Sequence, residues 1–140
     1  MLCLPQIYRA LHDDFAPDPS EWEPTIHPLV GYVALWEDED LMGIAIVNLH
    51  NTVKWEVHNA ILPHVGWKKR LKIARSFIEW LWTAGCKRIT GQVVASNQYA
   101  LKFNEVLGME RVGVERKAFM KDGRLQDLVY FGISAPEGIQ

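Results

Sequence analysis

A chain of 140 residues with a formal net charge of -2 makes one ordinary domain and leaves little room for a second core. Hydrophobic residues at 49 % and charged residues at 23 % exclude disorder over most of its length. No apolar run approaches the roughly 20 residues that a membrane-spanning helix needs, and Pro5, Gln6 and Arg9 interrupt any secretory-type apolar segment at the start. Cys3 and Cys86 form no CxxC pair, so a disulfide scaffold and a cysteine zinc site are both poor readings. His12, His27, His50 and His64 show no ligand spacing, and no metal is expected. The expected setting is a reducing cytoplasm.

Charge is unevenly placed. Ala10 to Val53 holds nine acids and no Lys or Arg, whereas Lys68 to Arg88 holds seven bases and one acid. Such asymmetry points to two partners of opposite sign. The overall negative charge argues against nucleic acid as one of them.

In chain order, Ile7, Tyr8, Leu11 and Phe15 have helical spacing behind Pro5. Four prolines between Ala16 and Pro28 mark an irregular loop. Leu29–Trp36 and Leu41–Leu49 read as a hairpin around the acidic turn EDED, and Thr52–Leu62 as a third strand ended by Pro63. On that strand Trp55, Val57, Asn59 and Ile61 share one face, and Glu56, His58, Ala60 and Leu62 the other. The period then changes. Trp67, Leu71, Ala74, Ile78 and Leu81 predict one face of a helix that Gly85 stops. Arg88–Ala95 is a short strand, and Ser96 or Asn97 can cap a helix over Gln98–Leu107 that stops at Gly108. Arg111–Met120 and Leu125–Ile133 close the chain as a hairpin with its turn near Asp122–Gly123. The strand–helix–strand crossover in mid-chain demands a parallel pair. The sum is one α/β (α+β) domain over residues 1–140, with a mixed, mostly antiparallel sheet of six strands and helices on both faces.

Two local features carry chemistry. Glu56 and His58 lie two apart on one strand, about 7 Å from each other on a shared face. A half-buried carboxylate or an imidazole there can serve as a general base, with Glu56 ranked first. The junction Pro63–Arg70 (PHVGWKKR) brings free N–H groups of a helix start together with Lys68, Lys69 and Arg70, which is an anion site suited to phosphate. Lys68 and Arg70 are both expected to face solvent. Trp22 and Trp36, near the acidic segments, can line an acceptor site for a cationic amine or anchor the Pro-rich loop. Cys86 is expected to pack inside.

From about residue 52 to 133 the chain resembles the GNAT-type N-acetyltransferases. The resemblance rests on WEVHNAILP (55–63), Gly66 in the turn, CKRITGQVVASN (86–97), the Asn97-x-x-Ala100 helix ending in Leu107-Gly108, and GVERKAFMKDGRLQD (113–127). In flavour it is similar to ribosomal-protein N-terminal acetyltransferases, and more so to small acetyltransferase-like proteins of tailed bacteriophages.

The resemblance implies an acetyl-CoA-dependent transferase acting on a primary amine: a protein N-terminus, a lysine or a small cationic amine. It implies that backbone near Ile61 and Leu62 meets the pantetheine arm, and that Val65, Gly66, Trp67, Lys68, Lys69 and Arg70 face the diphosphate. Asn97 would hold the arm or the strand. Asn104 stands where the family often has a Tyr near the departing thiol. The turn also departs from the family pattern, since only its inner Gly, Gly66, is kept. These departures favour, as an alternative, a non-catalytic structural or interaction protein of the same fold; a second alternative is a nucleic-acid-associated module using the bases of Lys68–Arg88 with exposed tryptophans. The family's closing strands often pair between subunits, which makes a homodimer an expectation.

Overall fold

The computed structural model describes residues 27–138. Eight elements follow one another: β1 (Val30–Glu37), β2 (Asp40–Leu49), β3 (Lys54–Ile61), α1 (Trp67–Thr83), β4 (Arg88–Val94), α2 (Gln98–Val106), β5 (Glu110–Lys121) and β6 (Arg124–Ser134). All six strands form one sheet in the order β1-β2-β3-β4-β6-β5. Every neighbouring pair is antiparallel except β3 with β4, which α1 connects as a crossover. The helix and Pro-rich loop expected before His27, with Trp22 and Cys3, lie outside the described residues.

The helices stop where their backbones require it. At the end of α1 the Gly85 N–H bonds Trp82 O at 3.2 Å and the Cys86 N–H bonds Leu81 O at 3.1 Å, with Gly85 at φ +106°. That paired closure needs a left-handed residue, which glycine adopts without a Cβ clash. Gly108 and Met109 repeat the same closure on Glu105 and Asn104 after α2. The start of α2 is capped by Asn97, whose Oδ1 accepts from the Ala100 N–H at 3.1 Å.

The strand alternation read from the sequence sorts residues onto the expected faces. Trp55, Val57 and Ile61 of β3 join Ile89 of β4 against Phe77, Leu81 and Trp82 of α1. Val93, Val129 and Phe131 pack on Leu101 of α2 on that same side. Both described helices therefore cover one face of the sheet. The first of the three expected helices, over residues 5–15, lies outside the described range. Leu71, Ala74 and Phe103, with Trp67 and Leu107, join the two helices to each other. The other side of the sheet carries a smaller cluster around Ile44 and Ala60.

The buried stripe of α1 is wider than the sequence spacing indicated. It comprises Leu71, Ile73, Ala74, Phe77, Leu81 and Trp82, while Ile78 is only half-buried. A helix lying across a sheet and also touching a second helix needs more than one narrow seam.

β5 is the least regular strand. Its pairing with β6 shifts between Arg111 and Gly113 and again between Glu115 and Phe119, where Lys117 adopts φ +53° and its N–H bonds Asp127 Oδ1 at 3.0 Å.

Candidate active site

Only three residue pairs join β3 to β4: Lys54 with Arg88, Trp55 with Ile89, and Glu56 with Thr90. Beyond them β3 continues to Ile61 and β4 to Val94 without pairing to each other. The backbone groups lost to this ladder border a cleft of about 570 Å³, roofed by α1 and α2. His58, Ile61, Arg70, Asn97 and Asn104 line it, as do Thr90, Gln92 and Tyr99. Glu56, Leu62, Val65, Gly66, Trp67, Lys68 and Lys69 are outside its lining.

Glu56 is half-buried at the point where the strands part. Gln92 Nε2 donates to Glu56 Oε2 at 3.1 Å, and His50 Nε2 lies 3.8 Å from the same oxygen. On the same face, Gln92 pairs in register with Tyr130 of β6. The Tyr130 hydroxyl donates to Glu115 Oε2 of β5 at 2.7 Å. Holding its proton against the Glu115 carboxylate raises the Tyr130 pKa above its ordinary value, with burial and the nearby Glu56 charge adding to the effect. A polar line thus runs across β3, β4, β6 and β5, with a carboxylate at each end.

None of Gln92, Tyr130, Glu115 and His50 was marked as a site residue from the sequence. Each sits on a different element from Glu56, and only strand register brings them together. Alternation on each strand gives their faces, but a single sequence carries no signal for which strands lie side by side.

The helix-start residues divide. Gly66 is the N-cap of α1 and supplies no side chain, no acid lies in the first turn, and the first cap bond runs from Arg70 N–H to Gly66 O at 3.0 Å. The preceding N–H groups and the positive end of the helix dipole are open to an anion. Lys68 is exposed, as expected. Arg70 is not: its Nε donates to Val65 O at 2.6 Å, its Nη2 to Leu62 O at 3.0 Å, and its guanidinium lies over the Tyr99 ring at 5.9 Å. Among the described residues the Val65 carbonyl has no backbone partner and the Leu62 carbonyl accepts only from the Val65 N–H, and Arg70 folds back to bond both. Lys69 reaches Glu37 on β1 at 3.3 Å.

Trp67 packs edge-on against Tyr99 at 5.2 Å and Phe103 at 5.5 Å, so it ties α1 to α2. Val65 is buried in the main core. Cys86 is buried and free, and burial raises its thiol pKa although its hydrogen bonds and Lys87 oppose the shift. Trp82 is buried and Trp80 exposed. Trp36 is exposed on β1. Among the described residues no cluster of metal-ligating side chains occurs, and no helix is long and apolar enough to cross a membrane.

No protein-family model matches the chain, and no curated protein matches it. Solved structures do. The spermidine N-acetyltransferase of Vibrio cholerae, in complex with CoA and spermine, superposes with a TM-score of 0.69 at 20 % identity, covering 76 % of this chain and 66 % of that one. The ribosomal-protein-alanine N-acetyltransferase of Brucella melitensis gives 0.64 at 14 % identity, covering 76 % and 69 %. A presumed acetyltransferase of Salmonella typhimurium, with its cofactor acetyl-CoA, gives 0.64 at 17 %, covering 74 % and 64 %. The chain spans about two thirds of the length of each. With the parted parallel strands and the open helix start, these likenesses establish that the chain has the GNAT-type N-acetyltransferase fold.

Proposed function

We propose that this protein transfers an acetyl group from acetyl-CoA to a primary amine by direct attack, with Glu56 as general base. The observation that carries the reading is the separation of β3 from β4 after Glu56 and Thr90, which leaves a cleft of about 570 Å³ lined by Thr90 and by Gln92, the residue hydrogen-bonded to that carboxylate.

The residues present suit the cofactor. The uncapped start of α1 offers backbone N–H groups at Trp67, Lys68 and Lys69 to the diphosphate, and exposed Lys68 adds a cation. Ile61, at the end of β3 that has parted from β4, offers main-chain groups to the pantetheine arm, whereas the Leu62 N–H is bonded to Met42 O and its carbonyl to Arg70. Asn97 and Asn104 lie along the cleft wall or at its helix. Acetyl-CoA supplies the activated acyl group. Glu56 takes the proton of the attacking amine, a role its untethered oxygen suits, and His58 on the same face is the second candidate. The acceptor is a small cationic amine, a lysine or a protein N-terminus. Two fold neighbours, named for acting on spermidine and on a ribosomal-protein alanine, both support an amine. Glu56 and Glu115 on one face favour a positively charged acceptor. The protein would work in the cytoplasm, as a monomer or a homodimer, without membrane or nucleic-acid partners.

A second reading keeps the fold and discards the chemistry. Asn104 replaces the Tyr of the resembled family, and Trp67 is spent on packing α1 to α2. The test is release of free thiol from acetyl-CoA with a panel of spermidine, lysine-containing peptides and N-terminal peptides. Turnover with any of these amines supports the enzyme. Absence of turnover across the panel favours the non-catalytic reading.

A further inference from the structure

Glu56 is held by a single hydrogen bond among the described residues, and that bond crosses the gap between the two parting strands. Gln92 follows Thr90 by two residues and therefore points to the same face of β4 as Thr90, the last partner of Glu56 in the ladder. Its amide nitrogen must be the end that faces the carboxylate, since an ionised carboxylate only accepts. The bond engages Oε2 at 3.1 Å, and among the described residues no hydrogen bond or ion pair engages Oε1. At 3.8 Å, His50 is too far from Oε2 for a hydrogen bond.

We propose that Gln92 is the positioning residue for Glu56, fixing the carboxylate so that Oε1 faces the acceptor amine. The proposal rests on the reading of Glu56 as the base. An amide suits this work because it neither accepts the abstracted proton nor loses its own at any working pH, so the tether persists through a catalytic cycle. Gln92 also lines the cleft, and it is backed by Tyr130, its register partner. The bond therefore links the orientation of the base to the separation of β3 from β4. The titratable groups around Glu56 are His50 from the β2–β3 turn, His58 on its own strand and Tyr130 from β6, with Glu115 of β5 behind Tyr130. Lys54 and Arg88 form the rung of the ladder two residues earlier on the same face.

The test uses Gln92→Met and Gln92→Glu in the full chain. Gln92→Met keeps the length and removes the donor. Its kcat should fall roughly ten- to a hundredfold, the loss expected of a hydrogen bond to a charged group, while the KM for acetyl-CoA stays unchanged. In a Glu56→Gln background the same change should cost nothing further. An equal loss in that background would show a merely structural role and overturn the proposal. Gln92→Glu sets two carboxylates against each other, so the Glu56 carboxyl carbon, followed by NMR in the free protein, should titrate at higher pH than in the parent. An unchanged midpoint would mean that the bond is not made in solution, and would also overturn it. If Glu56→Gln keeps full turnover, the base assignment fails by itself, and the NMR titration still decides whether Gln92 holds Glu56.

Discussion

Glu56 on β3 and Thr90 on β4 are the last paired residues of the parallel ladder, and the cleft begins where they stop. The Thr90 hydroxyl is buried there with no hydrogen-bond partner among the described residues. A buried hydroxyl without a partner is costly, which is tolerable at a position that a ligand completes.

Acetyl-CoA should raise the melting temperature. A ligand that binds only the folded state contributes RT ln(1 + [L]/Kd), about 2.7 kcal/mol at a hundredfold excess over Kd. Differential scanning fluorimetry with acetyl-CoA, CoA and an inorganic polyphosphate control measures this. No shift at millimolar acetyl-CoA would remove the cofactor from the proposal.

Lys68→Ala and Arg70→Ala should separate. Lys68 is exposed, so its loss should leave stability within about 0.5 kcal/mol and weaken CoA binding. Arg70 satisfies the carbonyls of Leu62 and Val65, so its removal should destabilise the fold by about 1–3 kcal/mol. Urea unfolding together with calorimetric CoA titration resolves the two. Equal stability of both variants would contradict the inward position of Arg70.

Glu56→Gln should lower turnover by about 10²–10⁴ with acetyl-CoA affinity nearly intact, as loss of a general base does. Thiol-release kinetics across pH provide the measure, and the acid limb of the wild-type profile should vanish. If His58→Ala loses that limb and Glu56→Gln keeps it, the base is His58.

Gly43→Ala should destabilise the sheet. A Cβ at Gly43 would overlap the Ala60 carbonyl oxygen and sit 2.8 Å from the Ile61 Cα, both backbone atoms that cannot swing away. A cost of about 1–3 kcal/mol or more follows for overpacking against fixed neighbours, read as a lower denaturation midpoint. Gly31→Ala, where no atom of the described residues lies within 4 Å of the added carbon, is the control.

The Tyr130 hydroxyl should ionise above its ordinary value of 10.0, and Glu115→Gln should bring it down. The folded state keeps this proton longer than the unfolded chain does. Whatever stability the hydroxyl contributes is therefore complete below the ordinary value and lost as pH rises through the folded one. Absorbance titration near 295 nm, with Tyr130→Phe subtracted, isolates the group. No difference between parent and Glu115→Gln would contradict the hydrogen bond.

The elements were legible because their signals are local. Gly85 and Gly108 stop helices, Asn97 caps one, and strand alternation assigned the faces of β3 correctly. Glu56 stands out on the same grounds, as the one carboxylate of β3. Gln92 and Tyr130 could not, because their meeting with Glu56 depends on the placing of β6 between β4 and β5, a long-range choice with no local mark. Arg70 was misread as solvent-facing because the cations of a helix start look alike until one knows which loop carbonyls lack a partner. Ile73 and Phe77 were missed because the spacing rule assumes one packing surface, whereas α1 meets the sheet and α2 together.

The interruptions in β5 bear on how this molecule meets copies of itself. β5 is the outermost of the described strands on its side, and a bare strand edge is a template for another sheet. Two register shifts and the left-handed turn of Lys117 divide that edge into short lengths. An incoming strand could follow it for only a few residues before the donors and acceptors fall out of step. Runaway sheet extension is discouraged by this geometry, and a subunit contact along β5 would have to be brief and sealed by side chains such as Val112, Val114 and Met120, which stand exposed there.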